Sequence, residues 1–591
     1  MGRERPPVSR SDLGPLGRPL SRRSLLAGAA GGAAALAAGG LTGFGASLVR
    51  AAPPHAPGVQ EAIWFEKSIP ELQTLMRRGR LSSRELTRGY LSQIAALNPT
   101  LGAVIETNPR ANAIARRLDD ERRQGKVRSV LHGIPILVKD NIATEDAMQT
   151  TAGSLALVGA KPRDDADLVE RLIDAGAVIL GKTNLSEWAN FRGFPPPDFP
   201  FATNYLNGWS ARGGFTHNPY LLGFDPCGSS SGSGVAPAVN MCAAAIGTET
   251  DGSIVCPAGN SGIVGLKPTV GLIAQRGIIP IAHSQDSAGP MARTVMDVAI
   301  LMNVMKSPFG PVKGKRVPDD YRRFVNPKGL RGARIGIERR QFLEEYFALP
   351  EINAVVEAAI VEMERAGAII VDPVDTGDTY AWFDAEFTVL LYEFKNDIRK
   401  YLEFTRQPGP KRLRTLADLI AFNIAHCEEE MEFFGQEIFE LANALSGDLT
   451  DPEYVEAREL CLRLTRDEGI DRVMREHDLD AVLSPSYAFG SSAPACAGYP
   501  VMSVPVGITE SGYPAGVWLY AGFLQEPQLL RVAAGIEAIF GRQQPRFLGA
   551  VPADPPDAGI CDIGTAAAQG ARVAEAREQL KAGRLRRPLG L

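Results

Sequence analysis

Short apolar runs that alternate with helical stretches constrain the fold of this 591-residue chain more than any other feature. Continuous apolar runs of about four to eight residues are typical of strands that are buried on both faces. Because strands separated by helices form sheets with helices packed on them, the sequence predicts an α/β fold with one large sheet covered by helices on both faces. The runs are Ile134–Val138, Ala177–Leu180, Arg334–Ile337, Ala368–Val371, Ala481–Leu483, Met502–Val506 and Val517–Tyr520.

Two stretches have the apolar spacing of helices. Glu61–Leu97 is predicted to be helical, with Ser82 or Ser83 capping the second helix in this stretch. Phe383–His477 is mostly helical in pattern and more charged, which indicates a helical insertion. We therefore expect four segments along the chain: an export signal in 1–51, a linker in 52–60, one domain in 61–551 and a polar tail in 552–591.

The first 51 residues have the pattern of an export signal. Arg22 and Arg23 precede an apolar, Ala/Gly-rich run, Ala27–Leu48, which ends near a small-residue cleavage site at Ala51. Paired Arg before such a run resembles a twin-arginine signal. An uncleaved membrane anchor is the alternative, although Gly-rich runs are less hydrophobic than most membrane spans. We expect an exported protein, periplasmic or extracellular, with no stable membrane association after signal removal.

Composition argues against several functional classes. The chain has 63 Lys and Arg against 68 Asp and Glu, and residues 1–51 hold seven Arg but only two acidic residues. The remainder is therefore more acidic still, which disfavours nucleic-acid partners. None of the seven Cys forms a C-x-x-C pair, and the six His are scattered. We expect no metal and no cofactor. The odd number of Cys leaves at least one thiol unpaired within the chain, and the pairing of the others stays open.

Pro226–Gly234 is a dense cluster of small residues that allows three interpretations. A flexible linker fits poorly, because structured apolar sequence flanks the cluster. A phosphate loop would need a Gly-Lys-Ser/Thr ending, which is absent. The third interpretation is a nucleophile site. Gly228–Gly232 matches the G-x-S-x-G elbow of α/β-hydrolases, but that elbow needs a preceding strand. Asn218–Pro226 contains two Pro and a Gly, so it is predicted to be a loop.

Several separated motifs, taken together, resemble the amidase signature family. The Gly/Ser cluster is followed by Asp-Gly-Ser-Ile and by Gly-Leu-Lys-Pro-Thr, and Ser253 follows Ser229 by 24 residues, close to the family's interval. The resemblance spans roughly residues 61–545 and implies a mixed sheet. Its other motifs are His132–Asn141, Gly181–Trp188, Ala497–Pro500 and Val504–Gly507.

The chain departs from the usual signature in a way that resembles the peptide-amidase branch. That branch removes ammonia from the C-terminal amides of peptides. Glu249 stands where the family usually has Asp, and Val255 stands where it usually has Arg, which removes the usual Arg–Asp support behind the nucleophile. Usual Gly residues are replaced by Cys227, Ser231 and Asp251.

The resemblance implies a catalytic triad. Ser253 would be the nucleophile, Ser229 would relay its proton from a cis peptide bond, and Lys139 would be the base. Ser230 would support the network by hydrogen bonding. The oxyanion would be held by backbone N–H groups of Thr250, Asp251, Gly252 and Ser253.

A lysine can act as a base only when it is neutral. Its reference pKa is about 10.4, so burial must lower it. Lys139 ends the apolar run Ile134–Val138, which would supply that burial. Lys182 and Asp140 lie in neighbouring family motifs, and we expect both to be structural.

The sequence thus predicts a secreted serine amidase that acts on a small-molecule or peptide amide. Two alternatives remain: the glutaminase subunit of a tRNA-dependent amidotransferase, which shares the signature, and a catalytically inactive amidase-fold binding protein. Gly193–Asn207, rich in Pro and aromatic residues, is either a rigid surface loop or part of the active-site mouth.

Overall fold

One eleven-stranded sheet forms the centre of the protein in a computed structural model, which describes residues 61–194, 207–407, 412–555 and 557–561. All seven predicted runs are strands of this sheet. Its strands are β1 Val104–Thr107, β2 Pro135–Lys139, β3 Val178–Thr183, β4 Ala244–Glu249, β5 Val264–Lys267, β6 Ser287–Ala292, β7 Arg334–Glu338, β8 Ile369–Val374, β9 Ala481–Pro485, β10 Val501–Ile508 and β11 Pro514–Tyr520.

The sheet is mixed. Its strand order is β1-β3-β2-β4-β6-β5-β10-β11-β9-β7-β8. Strand β2 is parallel to both β3 and β4, and β7 is parallel to both β9 and β8. The strands between these two groups pair antiparallel. With helices on both faces, this architecture confirms the predicted fold class.

Helices precede, separate and follow the strands. Those described are α1 Ile69–Arg77, α2 Ser83–Leu101, α3 Ala111–Arg123, α4 Asp167–Asp174, α5 Ser231–Ala238, α6 Val255–Asn260, α7 Val295–Met305, α8 Pro350–Arg365, α9 Phe383–Phe404, α10 Leu416–Ala425, α11 Cys427–Glu430, α12 Glu437–Ala444, α13 Pro452–Leu462, α14 Asp471–His477, α15 Ser492–Ala497 and α16 Glu526–Phe540. A π-helical segment, Arg463–Ile470, joins α13 to α14.

The helical stretch predicted at Glu61–Leu97 forms two helices, α1 and α2. Each begins at a serine capping box, formed by Ser68 with Glu71 and by Ser82 with Glu85. The caps satisfy the first backbone N–H groups, so each serine starts its own helix. Ser82 was correctly proposed as the cap of the second helix, with Glu85 in its first turn, whereas the start of the first helix at Ser68 was not predicted.

Four strands of this sheet were not predicted, and three of them, β4, β6 and β5, lie side by side in its middle. Strands β4 and β6 are built largely of small residues, including Gly247 and Gly289. A Cβ at Gly289 would lie 2.0 Å from the Leu266 carbonyl oxygen, and one at Gly247 would lie 2.8 Å from Met291 Sδ. Close packing therefore requires small residues here, and these lack the β-branched signal by which strands are predicted.

The segment from Phe383 to His477 carries helices α9 to α14 and packs on a second hydrophobic core. That core joins α9 and α12 to residues between Ala152 and Phe191. The fully buried Arg192 crosses the junction, where it pairs with Glu187 and donates to the Phe434 carbonyl at 3.0 Å. A buried cation therefore ties this segment to the chain that follows β3.

Several expectations fall outside the described residues. They concern the export signal, the linker 52–60, most of the loop Gly193–Asn207 and most of the tail 552–591. Within the ranges that the structure describes, no helix combines the length and apolar character that a membrane crossing requires.

Replacing Arg192 by Met should destabilise the fold strongly. The change leaves Glu187 and Glu430 buried without their cation, which typically costs about 3–5 kcal/mol of unfolding free energy. The control is Arg399→Ala, which breaks an exposed pair with Glu403 and should cost about 1 kcal/mol or less. Urea unfolding of both variants checks this, and equal midpoints would contradict it.

Candidate active site

Lys139 lies at the end of β2 with its side chain fully buried. Strands β3 and β4 flank it, and the preceding residues Ile134–Val138 are buried as expected. Its Nζ lies 2.7 Å from Ser229 Oγ, 2.9 Å from Ser230 Oγ and 3.0 Å from Thr248 Oγ1. Among the described residues, no carboxylate oxygen lies within 4.0 Å of Nζ to form an ion pair. The amine is therefore surrounded by hydroxyl groups instead of charges.

Burial lowers the pKa of Lys139 well below its usual range. Desolvation is the main cause, because the charged form loses its water. The more distant carboxylates of Glu249 and Asp286 oppose the shift only in part. The neutral amine can accept a proton from a neighbouring hydroxyl, which is the property required of a lysine base.

Ser229 and Ser230 follow a tightly enclosed loop and lead into α5. The Gly228–Ser229 peptide bond is cis, as the family resemblance implies. A Cβ at Gly228 would lie 2.2 Å from Ser186 Oγ, so only glycine fits there. Ser230 accepts from Lys139 and donates to the Thr248 carbonyl at 3.0 Å. Both serines are completely buried, with Ser229 directly beside the amine.

Ser253 lies in the turn between β4 and α6. Its carbonyl accepts from the Ser230 backbone N–H at 3.1 Å, which brings the two predicted serine segments together. The Glu249 carboxylate accepts from the N–H groups of Ile254 and Val255, at 2.7 and 2.9 Å. Glu249 thus fixes the backbone immediately after the predicted nucleophile.

The turn predicted to hold the oxyanion is fixed from both sides. Thr250 Oγ1 donates to Asp286 at 2.6 Å, and Ser491 Oγ donates to Asp251 at 2.6 Å. Gly252 has a φ of 76°, in the left-handed region that glycine favours. Its N–H interacts with the Glu249 carboxylate, so the protein itself already engages one of the four predicted oxyanion donors.

Lys267 is a site residue whose role sequence analysis missed. It ends β5 fully buried, and burial lowers its pKa while Glu249 opposes the shift. Burial in turn raises the pKa of Glu249, with Lys267 the first influence against it. Lys267 and Glu249 are therefore close enough behind the turn that each opposes the pKa shift of the other. The missed signal was a lone lysine at the end of an apolar strand, as at Lys139.

Lys182 and Asp140 brace the loop beside the site. Lys182 Nζ donates to Thr150 Oγ1 at 2.8 Å, and burial lowers its pKa to about 8. Asp140 accepts from Thr151 Oγ1 at 2.5 Å and from Arg212 at 3.1 Å. Both side chains thus hold the chain between β2 and residue 153, in keeping with a structural role.

Comparison with known proteins identifies the family. The family model described as Amidase matches residues 85–494. The chain belongs to the amidase family. It is similar to a probable amidase from Arabidopsis thaliana, at 38% identity over 502 residues that cover 82% of this chain and 92% of that protein. It is also similar to the crystal structure of native peptide amidase from Stenotrophomonas maltophilia, at 47% identity and a TM-score of 0.75, covering 82% of this chain and 99% of that one.

A more distant relative carries a different name. A glutamyl-tRNA(Gln) amidotransferase subunit from Synechococcus sp. strain CC9311 is 31% identical over 493 residues, which cover 79% of this chain and 96% of that protein. The chain is therefore an amidase-family enzyme, and relatives named as amidases share more of its sequence.

The amidase does not have the nucleophile elbow of an α/β-hydrolase. Asn218–Pro226 is a loop, as predicted, and no strand leads directly into Ser230. Ser230 is buried and hydrogen-bonded on both sides by Lys139 and Thr248. Ser230 therefore does not have the exposed position that the nucleophile of such an elbow occupies.

One group in the described part of this amidase brings possible metal ligands within 4.8 Å of one another: His283, Glu393 and Asp397. These side chains already have partners. His283 Nδ1 lies 2.6 Å from Asp397 Oδ2, Lys400 pairs with Asp397 at 2.8 Å, and Tyr454 donates to Glu393 at 2.8 Å. The group links α9 to the loop before β6.

The pH dependence of the amidase should report the protonation of Lys139. The predicted base acts in its neutral form, so kcat/KM should rise with pH through the lowered pKa of Lys139 and then level off. Lys139→Arg should lose about 10²-fold or more and show no such limb, because guanidinium keeps its proton.

The control is His132→Gln, which removes the His nearest in sequence to Lys139. His132 is buried against the Leu118 carbonyl, so its replacement should leave the limb in place. Both pH profiles are measured on one amide substrate. Near-normal turnover by Lys139→Arg would make Lys139 a structural cation and place the base elsewhere.

Proposed function

We propose that this amidase hydrolyses carboxamides to carboxylate and ammonia, with the C-terminal amides of peptides as its substrate class. The observation that carries the proposal is the buried Lys139 amine, 2.7 Å from Ser229 Oγ and without an ion-pair partner among the described residues. The similarity to a structure titled peptide amidase, at 47% identity, supports the substrate class. A second such structure is titled as a complex with the competitive inhibitor chymostatin.

The reaction begins with proton transfer along the two serines. Neutral Lys139 accepts the proton of Ser229 as Ser229 accepts that of Ser253, and Ser253 Oγ attacks the amide carbon. The oxyanion is held by backbone N–H groups of the Thr250–Ser253 turn other than that of Gly252, which Glu249 already engages. Each such donor typically contributes about 10²–10³-fold to the rate. Because Asp286, Ser491 and Glu249 already fix this turn, little reorganisation accompanies the attack.

The same proton then serves the leaving group. Lys139 returns it through Ser229 to the amide nitrogen, so the C–N bond breaks and ammonia leaves. Water then attacks the ester carbon and gives a proton through Ser229 to Lys139. The proton returns by the same path to Ser253 Oγ as the ester C–O bond breaks and the carboxylic acid leaves. No step requires a second acid, because one proton moves to the base and back in each half-reaction. Ser230 keeps Lys139 in place by bonding both the amine and the Thr248 carbonyl.

The amidotransferase alternative rests on relatives named as subunits of glutamyl-tRNA(Gln) amidotransferase, at 31–32% identity. Those named as amidases are 36–38% identical. An exported chain would also be separated from a tRNA partner. An inactive binding protein is opposed by the presence of Lys139, Ser229 and Ser253 together. Release of ammonia by the chain alone separates all three functions.

We also propose export to the periplasm or the extracellular space. The pattern of residues 1–51 supports this, as do two disulfides, Cys227–Cys256 and Cys427–Cys561. Disulfides persist mainly in oxidising compartments.

Replacing the proposed nucleophile should abolish turnover. Ser253→Ala should lower kcat by about 10⁴-fold or more, since no covalent intermediate can form. The matched control, Ser230→Ala, removes a neighbouring hydroxyl of the same network and should leave measurable activity. Ammonia release from peptide amides and small carboxamides is measured for both. An active Ser253→Ala enzyme beside an inactive Ser230→Ala enzyme would contradict the assignment.

The enzyme should work without a metal ion. EDTA should leave kcat/KM unchanged, because the proposed chemistry uses only serine and lysine side chains. A sulfonyl fluoride should inactivate slowly and add its mass to the peptide that contains Ser253. Activity that EDTA removes and zinc restores would refute the proposed mechanism.

A further inference from the structure

A disulfide joins the two segments that carry the candidate catalytic serines. Cys227 lies two residues before Ser229, and Cys256 lies three residues after Ser253. Their Cα atoms are 5.8 Å apart, and both side chains are buried. The disulfide therefore connects the same two segments between which the proposed proton relay runs.

Each cysteine is held rigidly to its own serine segment. The Cys227 N–H donates to Asp225 Oδ1 at 2.7 Å, and its carbonyl accepts from Ser231 Oγ at 2.5 Å. On the other side, the Cys256 N–H donates to the Gly252 carbonyl at 2.8 Å. A displacement of one segment relative to the other would therefore be transmitted through the disulfide to both serines.

The remaining connections between the segments are noncovalent. The Ser230 N–H donates to the Ser253 carbonyl at 3.1 Å, and helices α5 and α6 pack against each other. A proton relay requires that the distance between its two hydroxyl groups is closely maintained, because a misplacement of about 1 Å can cost about 10²-fold in rate.

We infer that the Cys227–Cys256 disulfide positions Ser229 against Ser253, so that full activity requires the oxidised crosslink. The inference rests on the proposed function, since it assigns a role within the proposed relay. Both cysteines act by positioning the serines, because the proposal assigns neither of them a contact with the substrate. An enzyme that works outside the cytoplasm would keep this crosslink oxidised.

The second disulfide supplies a matched control. Cys427–Cys561 joins the start of α11 to the end of the described chain, with a sequence separation of 134 residues against 29 for Cys227–Cys256. Crosslinks that close longer loops restrict the unfolded chain more. Removal of Cys427–Cys561 should therefore lower Tm at least as much as removal of Cys227–Cys256. If both disulfides were purely structural, the variant with the lower Tm would also have the lower kcat.

The test compares Cys227→Ala/Cys256→Ala with Cys427→Ala/Cys561→Ala in the full chain. We expect the first variant to lose at least about tenfold in kcat, with KM changed much less, because relay geometry affects the chemical step. We expect the second to keep kcat within about twofold while its Tm falls. A first variant with wild-type kcat, or equal losses of kcat in both, would overturn the inference.

A second variant separates the crosslink from backbone strain. Cys227 has a φ of 55°, a backbone conformation that is strained for alanine and cysteine alike but is readily adopted by glycine. Cys227→Gly/Cys256→Ala therefore removes the crosslink and relieves the strain together. We expect its kcat to stay low. Recovery to the wild-type kcat would overturn the inference.

Reduction of the folded wild-type enzyme repeats the comparison without substitutions. A phosphine reductant opens the crosslink, and alkylation with mass spectrometry locates the new thiols. Loss of kcat should follow the appearance of thiols at Cys227 and Cys256. Three thiols per chain are expected before reduction, at Cys242, Cys461 and Cys496. An active enzyme with free thiols at Cys227 and Cys256 would overturn the inference.

Failure of the proposed function gives a different result. If the wild-type chain with three thiols releases no ammonia from any amide, the proposed function fails. If it is active and Ser253→Ala is inactive, the proposed function stands, and the disulfide variants then decide this inference alone.

Discussion

The structure of the site depends on a lysine amine held in the interior without a carboxylate partner among the described residues. Placing Lys139 at the end of β2 gives it apolar neighbours behind and hydroxyl groups in front. Burial therefore lowers the pKa of an amine that can serve as the proposed base, without the use of imidazole. The surrounding structure serves this arrangement. The strands on both sides and the enclosed Gly228 loop meet at this buried nitrogen, and the Ser253 turn is hydrogen-bonded to Ser230 beside it.

Much of the fold could be predicted from local sequence because most strands of the sheet are apolar and buried on both faces. In runs such as Ile335–Ile337, the apolar residue types themselves indicate that the strand is buried. Strands β4 and β6 could not be found in this way, since Gly247 and Gly289 are dictated by what packs against them. The start of the second helix within Glu61–Leu97 could be predicted, because the Ser82 cap and the acidic residue in its first turn are visible in the sequence.

The site was predictable mainly through ordered motifs. The spacing of Lys139, Ser229 and Ser253 matches a family pattern, and the structure brings Lys139 and Ser229 into contact and joins the Ser253 turn to the next residue, Ser230. Partners that depend on distant strands stayed hidden. Thr248 and Lys267 reach the site only after the sheet has formed. The pairing of Cys227 with Cys256 was likewise open, because seven cysteines allow many connections.

The glycines beneath the site have a consequence for how such an enzyme can diverge. A side chain at Gly247 would meet Ser230 Oγ at 2.9 Å, and one at Gly228 would meet Ser186 Oγ at 2.2 Å. A substitution at either glycine would displace a serine beside the proposed relay before it altered any pocket. Changes in substrate range would therefore arise more readily in surface segments, where added side chains meet fewer neighbours. Relatives would then share these glycines while the acyl groups that they accept differ.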